Sequence, residues 1–296
     1  MEYALRLYLY LLLGYIIEKR RVSGLFIAGV LDKRSNSIYY WEYYQSMWEY
    51  RELIRNLTLA ELKNRYQNTS LGFFWSILGP FLIAVVTYFV FRNLFQREEN
   101  FAVNLIVGIM AWRFFTVGTS GCLSSIAGKK NLVTKVYIPR QILVLSKALS
   151  TLISSWLEFI VLIPIIYFVA GNLPWTIVFY PVVHLVYFWT IYGLGLILAS
   201  LYIYFRDLHQ IWDVMLTAGF FTCPIVYPIS IVPPNILSYY MLNPITHFIL
   251  IYRDVMVAGT APSLNNIIMV LGTGIVIFAI GNYVFSKLQR RFAEEI

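Results

Sequence analysis

Two ionisable residues, Arg113 and Glu158, stand inside long apolar runs. A charge placed in hydrocarbon is costly, and it persists where it is paired or does work. Arg113 lies twelve residues after Phe101, and Glu158 lies twelve before Ala170. If the two runs are antiparallel helices, a rise of about 1.5 Å per residue puts each roughly 18 Å from the same boundary. The shared depth predicts an ion pair. It either fixes helix register or leaves Arg113 facing a path between helices. A second feature is a run of bases with no acid: Lys129, Lys130, Lys135 and Arg140. Charge alone does not separate a docking segment from a simple anchor on the inner side of a membrane.

Other chemistry is sparse. The chain carries no G-x-x-x-x-G-K-[ST] phosphate loop, and Gly128-Lys129 alone is not one, so ATP hydrolysis would need a separate subunit. His184 and His247 lack partners at metal-ligand or catalytic spacing. Cys122 and Cys223 each lie in an apolar segment with no metal or disulfide framework. All four read as packing residues, and neither a metal site nor a catalytic residue is expected. Asp213 lies near the end of an apolar run, where its carboxylate reaches water by snorkelling.

The elements that must hold these residues follow from composition. Of 296 residues, 59% are hydrophobic and 13% charged, against about 25% charged in a soluble domain. Lipid must be part of the solvent. The net charge of +8 sits in short clusters between apolar runs, which excludes nucleic acid as the expected partner. The fold class expected is an all-α integral membrane protein, because a backbone in hydrocarbon must satisfy its own hydrogen bonds. Six runs are long enough to cross: 71–91, 101–126, 142–170, 175–205, 211–232 and 266–285.

Loop charge orients them. Arg51, Arg55, Lys63 and Arg65 precede the first run, the basic cluster separates the second and third, Arg206 follows the fourth, and Lys287, Arg290 and Arg291 follow the last. The opposite loops hold Arg92 and Arg97 offset by Glu98 and Glu99, then nothing charged in 171–174. Both termini are therefore expected in the cytoplasm. The stretch 235–259 is apolar but broken at Asn243-Pro244, with Arg253-Asp254 near its end. A seventh span there would break the charge pattern, so the stretch is expected to enter from outside and return as a re-entrant helical hairpin between spans five and six. Pro164, Pro181 and Pro224 are expected to kink their spans. Gly193, Gly195, Gly272 and Gly274 should allow close helix approach.

Before the first span, residues 50–66 carry charges throughout and contain no Pro or Gly. Leu53, Ile54, Leu57 and Ala60 form one stripe, while Leu59 and Leu62 fall off it. An amphipathic helix in the inner interface is expected, with Gly72 easing the turn into the first span. The run 3–17 is short for a span, and with the basic tract 18–21 it suggests a surface-lying helix on anionic lipid. The expected organisation is an extension over 1–48, the interface helix over 49–70, a six-span domain over 71–290 and a tail over 291–296.

Ordered motifs carry a resemblance. Arg51-Glu52-Leu53-Ile54, Glu61 to Tyr66, Ser70-Leu71-Gly72-Phe73-Phe74-Trp75 and Pro80 resemble the opening of polysaccharide ABC exporter permeases, the membrane subunits for O-antigen, capsule or teichoic-acid chains. Lys129 to Arg140, Phe205-Arg206-Asp207-Leu208, Asn243-Pro244-Ile245 and Tyr252-Arg253-Asp254 continue the pattern, which covers about 50–290. The resemblance implies a homodimer bound to two ATPase subunits, which carry the ATP and Mg, in a prokaryotic plasma (inner) membrane. It implies that Lys129, Lys130, Lys135, Tyr137, Pro139 and Arg140 couple to the ATPase, and that Arg51, Glu52, Arg65, Leu71 and Gly72 belong to the interface helix and the turn after it. Asn243, Pro244, Arg253 and Asp254 would form the outer re-entrant helices.

The implied substrate is a polyprenyl-diphosphate-linked glycan moving along the dimer interface. Sugars stack C–H faces on rings, so Tyr88, Trp112, Phe115, Trp189 and Tyr192 are path candidates beside Arg113 and Glu158. A drug or small-lipid exporter of the same architecture is the alternative. A membrane-embedded glycosyl- or acyltransferase is a remoter one, which should carry paired carboxylates or a His-Asp pair in a loop at one membrane face; none is found.

Overall fold

The computed structural model describes residues 48–67, 71–95, 100–135 and 138–295. The chain divides into two units, 1–52 and 53–296. In the first, residues 48–52 are described, with the Arg51 guanidinium 5.4 Å from the centre of the Trp48 ring. The surface-lying helix expected at 3–17, the loop residues Arg97 to Glu99 and the coupling candidate Tyr137 lie outside the described residues.

The second unit is helical, with no strand among the described residues. Its helices are α1 (Arg51–Tyr66, beginning at the unit boundary), α2 (Phe74–Phe91), α3 (Phe101–Ser124), α4 (Lys130–Lys135) and α5 (Gln141–Ala170). Then follow α6 (Tyr180–Tyr204), α7 (Leu208–Thr222), α8 (Pro234–Tyr240), α9 (Pro244–Arg253), α10 (Leu264–Leu288) and α11 (Phe292–Glu295). Among the described residues, five segments are long and apolar enough to cross a membrane: Phe74–Phe91, Phe101–Ser124, Gln141–Ala170, Trp175–Tyr204 and Leu264–Arg291. The chain is thus a multi-pass membrane protein.

The run 211–232 forms a different object from a long kinked span. Its helix, α7, has 15 residues and stops at Cys223, whose backbone is extended at φ −105 and ψ 148. Pro224 excludes helical geometry from the residue before it, so it ends the helix rather than bending it. Pro181 also makes no kink, because it lies in the first turn of α6, where a missing N–H costs nothing. Pro164 does lie inside α5, which runs on to Ala170.

Between α7 and α10 the chain makes two short helices broken where Asn243-Pro244 predicts. Asn243 Oδ1 accepts from the Ile245 N–H at 3.0 Å and caps α9, while Pro244 occupies its first turn. Asn243 Nδ2 also reaches Cys223 Sγ at 3.2 Å. Arg253, at the end of α9, donates to the carbonyls of Ile225 at 2.8 Å and Asn104 at 3.3 Å. One side chain therefore satisfies two carbonyls and ties α9 to α3 and to the non-helical stretch after α7. The chain then makes a π turn over Asp254–Ala258, and Thr176 Oγ1 donates to the Val255 carbonyl at 2.7 Å.

The two histidines find partners in this region. His184 Nδ1 lies 2.6 Å from Tyr252 Oη, and His247 contacts Asn266 Oδ1 at 2.7 Å and the Met241 carbonyl at 2.8 Å. Both are fully buried packing residues.

α3 and α6 are the enclosed centre, and α2 and α10 present mostly apolar side chains outward. The closest helix contact is α6 on α10. A Cβ on Gly281 would fall on the Gly193 carbonyl, and one on Gly193 would lie 2.6 Å from Phe278 Cα. A Cβ on Gly195 would lie 2.6 Å from Cys122 Cβ, and one on Gly274 would lie 2.9 Å from Thr190 Oγ1. Gly272 has nothing within 4 Å, so it has no part in the close approach expected of it. Gly281→Leu should force α6 and α10 apart and cost about 3 kcal/mol, because a backbone atom cannot yield as a side chain does. Gly272→Leu should be neutral. Thermal-unfolding midpoints of the two purified variants decide it.

Candidate functional site

The charged and polar residues of α1, α3 and α5 meet along one seam. In its middle, Arg113 Nη2 lies 3.2 Å from Glu158 Oε1, and Arg113 Nε lies 3.5 Å from Oε2. Glu158 is 6% exposed and Arg113 27%. The matching depths of the two residues thus become a two-point contact between α3 and α5.

α5 carries more than its one carboxylate. Ser146, Ser150, Ser154 and Glu158 recur every four residues and are all buried. Residues four apart share a helix face, so this is a polar stripe. Sequence reasoning noticed only its charged member, although the spacing was there to read. Tyr66 Oη donates to, or accepts from, Ser154 Oγ at 3.1 Å, which joins the end of α1 to the stripe.

At the other end of the seam a carboxylate holds two lysines. Lys129 Nζ lies 2.5 Å from Glu61 Oε1, and Lys147 Nζ lies 2.6 Å from Glu61 Oε2. Glu61 stands on α1, Lys147 on α5, and Lys129 ends the turn Ala127–Lys129 that leads into α4. Lys147 did not figure among the expected site residues. Its neighbours are so apolar that the run reads as span, and only the match with Glu61 gives it a role. The same need shapes α1. The face turned inward is centred on Thr58, with Leu62 half-buried and Ala60 exposed, which reverses the roles expected of those two. Glu61 lies on that inward face, three residues from Thr58.

The remaining basic residues divide. Lys130 and Lys135 bound the six-residue α4, both exposed, while Val133 faces inward. Pro139 and Arg140 lead into α5, and Arg140 donates to the Gln289 carbonyl and lies 5.9 Å from the centre of the Phe292 ring. The segment is therefore fastened at both ends, by Lys129 to α1 and by Arg140 to the end of α10. Leu71 and Gly72 form the turn from α1 into α2. Leu71 is exposed, and Gly72 takes φ +51, a left-handed value that suits glycine.

The aromatic candidates do not share a surface. Trp112 touches Phe115 and Phe220, with ring centres 5.5 and 6.3 Å apart, and lines a groove of about 550 Å³ between α3 and α7. Thr116, Ser120, Asp213, Thr217 and Phe221 also line it. Phe115 is buried beside Tyr187, and Tyr192 is buried against Phe278. Trp189 is 48% exposed and packs its edge on Phe278 of α10. Tyr88 belongs to a smaller cleft with Phe81, Ile106 and Ile166. Asp213 is exposed and lies 3.1 Å from His209 Nδ1, one turn away.

Two outcomes test the seam. Reversing Arg113 or Glu158 alone leaves a buried charge unpaired, at about 3–5 kcal/mol. Arg113→Glu with Glu158→Arg should recover most of the loss in yield of monodisperse protein and in thermal midpoint. A double variant no better than the worse single one would remove the pair as a determinant of assembly.

Burial alone would raise the pKa of Glu61, but the hydrogen bonds and charges of Lys129 and Lys147 outweigh it, and the carboxyl is held below its ordinary 4.5. A carboxyl with a lowered folded pKa stabilises above its unfolded value and loses that contribution as pH falls through the folded one. The stability difference between wild type and Glu61→Gln should be constant from pH 7 to 5 and shrink below 4.5.

Known proteins share this plan. The sequence pattern of the family described as ABC-2 type transporter matches residues 52–257. An O-antigen export system permease protein, RfbA, of Myxococcus xanthus is 29% identical over 259 residues, covering 85% of this chain and 98% of the relative. An RfbA of Klebsiella pneumoniae is 29% identical over 252 residues, covering 82% and 94%. The polysialic acid transport protein KpsM of Escherichia coli is 23% identical over 215 residues, covering 70% and 81%. With the family pattern spanning well over half its length, this chain belongs to the ABC-2 type transporter family.

Proposed function

We propose that the chain is the permease subunit of an ATP-driven exporter that carries a lipid-linked, O-antigen-like polysaccharide across a prokaryotic plasma membrane. The observation that carries the reading is the basic segment Lys129 to Arg140. It offers exposed lysines on a short helix and is fastened at one end to α1 and at the other to the end of α10. In a chain without a phosphate loop, such a segment suits the seat of a separate ATPase, where ATP and Mg would be held. The similarity over most of the chain to permeases named for O-antigen and polysialic acid supports a glycan cargo.

In this reading the chain crosses six times, with both termini cytoplasmic. The fifth crossing is α7 together with the non-helical stretch after it, and α8 and α9 form a re-entrant hairpin on the outer side. Arg253 supports that placement, since non-helical backbone at membrane depth must be satisfied by protein. The subunit works as a homodimer with two ATPase copies. Much of α7, including Ile211, Val214, Met215 and Phe221, is exposed in one copy and available to a second. The groove beside it sets the Trp112, Phe220 and Phe221 rings near the hydroxyls of Thr116, Ser120 and Thr217 and the carboxylate of Asp213. That mixture suits sugar faces and sugar hydroxyls.

The test is biochemical. The purified permease should capture an ABC ATPase encoded near it. A polyprenyl-diphosphate glycan should then raise ATP hydrolysis in liposomes several-fold. Failure of any ATPase to bind would sink the exporter reading. Stimulation by amphipathic drugs but not by the glycan would leave an exporter of small molecules instead.

A further inference from the structure

Glu61 stands where three elements meet, each of which would otherwise move by itself. Its two oxygens are divided between Lys129, on the ATPase-facing turn, and Lys147, on α5. One carboxylate cannot keep both contacts if α1 slides along α5 or if the turn lifts from α1. Charged contacts are strongest at short range and in partly enclosed sites. Here the lysines are 24% and 27% exposed and the glutamate 14%. Arg140 fastens the far end of the basic segment to the backbone carbonyl of Gln289, and Lys129 fastens its near end to Glu61; both contacts are made by side chains of the segment.

We propose that Glu61 is a positioning residue, a two-lysine clasp through which movement of the Lys129–Arg140 segment is passed to α1. The proposal rests on the exporter reading in one respect, that the ATPase supplies the movement. While the clasp is closed, α1, the basic segment and α5 move as one body. With the carboxylate removed, Lys129 and Lys147 repel each other, and the segment shifts without carrying α1. The groove, the Arg113–Glu158 pair and the exposed lysines of α4 are untouched by that change.

Two measurements test this, one of them without the ATPase. For the first, spin labels are placed on cysteines at the exposed Asn56 of α1 and Asn131 of α4, since the native Cys122 and Cys223 are buried and slow to react. The wild type should give one narrow distance distribution. Glu61→Gln should broaden it, and Glu61→Asp, which keeps a carboxylate between the two lysines, should leave it narrow. An unchanged distribution in Glu61→Gln overturns the clasp, whatever the ATPase does.

The second is coupling in the full complex with lipid-linked glycan. Glu61→Gln should bind the ATPase and hydrolyse ATP within about twofold of wild type while export falls at least tenfold, and Glu61→Asp should retain export. Export and hydrolysis falling together would assign Glu61 a purely structural part and overturn the proposal. If the wild type binds no ATPase, the exporter reading fails by itself, and the label distances still decide whether Glu61 joins α1 to the segment.

Discussion

A polar group taken out of water must find its partner inside the protein, and in a chain this apolar that requirement decides where helices can lie. Apolar packing between α3, α5 and α6 supplies contact area but little choice of register, since one leucine or isoleucine face resembles the next. The polar groups supply the choice. Arg113 and Glu158 can meet at one offset of α3 against α5. Tyr66 reaches Ser154, and Glu61 reaches Lys147, at one offset of α1 against α5. Two contacts five residues apart on α1 and seven apart on α5 tie the two helices through their side chains.

The same requirement explains the irregular backbone between α7 and α10. Pro224 follows the end of α7 and Pro244 begins α9, and a helix that stops leaves carbonyls that need a protein partner where water is excluded. Arg253 answers for the Ile225 carbonyl and bonds that of Asn104 within α3 as well, and the Asn243 side chain answers for the first turn of α9. Arg253 and Asn243 are two of the three polar residues that stood out there in the sequence, Asp254 being the third. Their use is to let the chain stop and restart a helix where it could not otherwise do so.

Legibility in the sequence followed how much each feature depends on a single segment. The long helices were readable because hydropathy is a property of one run, and the ends of α2, α3 and α5 fall within a few residues of expectation. Arg113 with Glu158 was readable because depth can be counted along each run separately. What needed two segments at once was not. Lys147 acquires meaning only from Glu61, eighty-six positions away. Gly281 differs from Gly272 only in what faces it. The aromatic faces were illegible for a related reason: α3 and α6 are apolar all round, so nothing in their sequence says that Phe115 and Tyr192 turn inward while Trp189 turns out. Tyr66 and Ser154 were within reach, had the four-residue recurrence in α5 been treated as a stripe rather than as scattered serines.

The placement of the polar contacts also bears on how a membrane subunit can be moved from one end. A close glycine contact such as Gly193 on Gly281 welds α6 to α10, because backbone against backbone leaves no room to slide. Side-chain ion pairs differ. They hold a register while intact and allow another once broken, and breaking them near water costs less than in the core. In this chain the backbone contact lies between α6 and α10, while the contacts of α1 to α5 and to the basic segment are made by side chains. The α6–α10 pair is thus suited to stay rigid and α1 to move against it. Glu61 is the more exposed of the two carboxylates at 14%, against 6% for Glu158, so its ion pairs cost less to release.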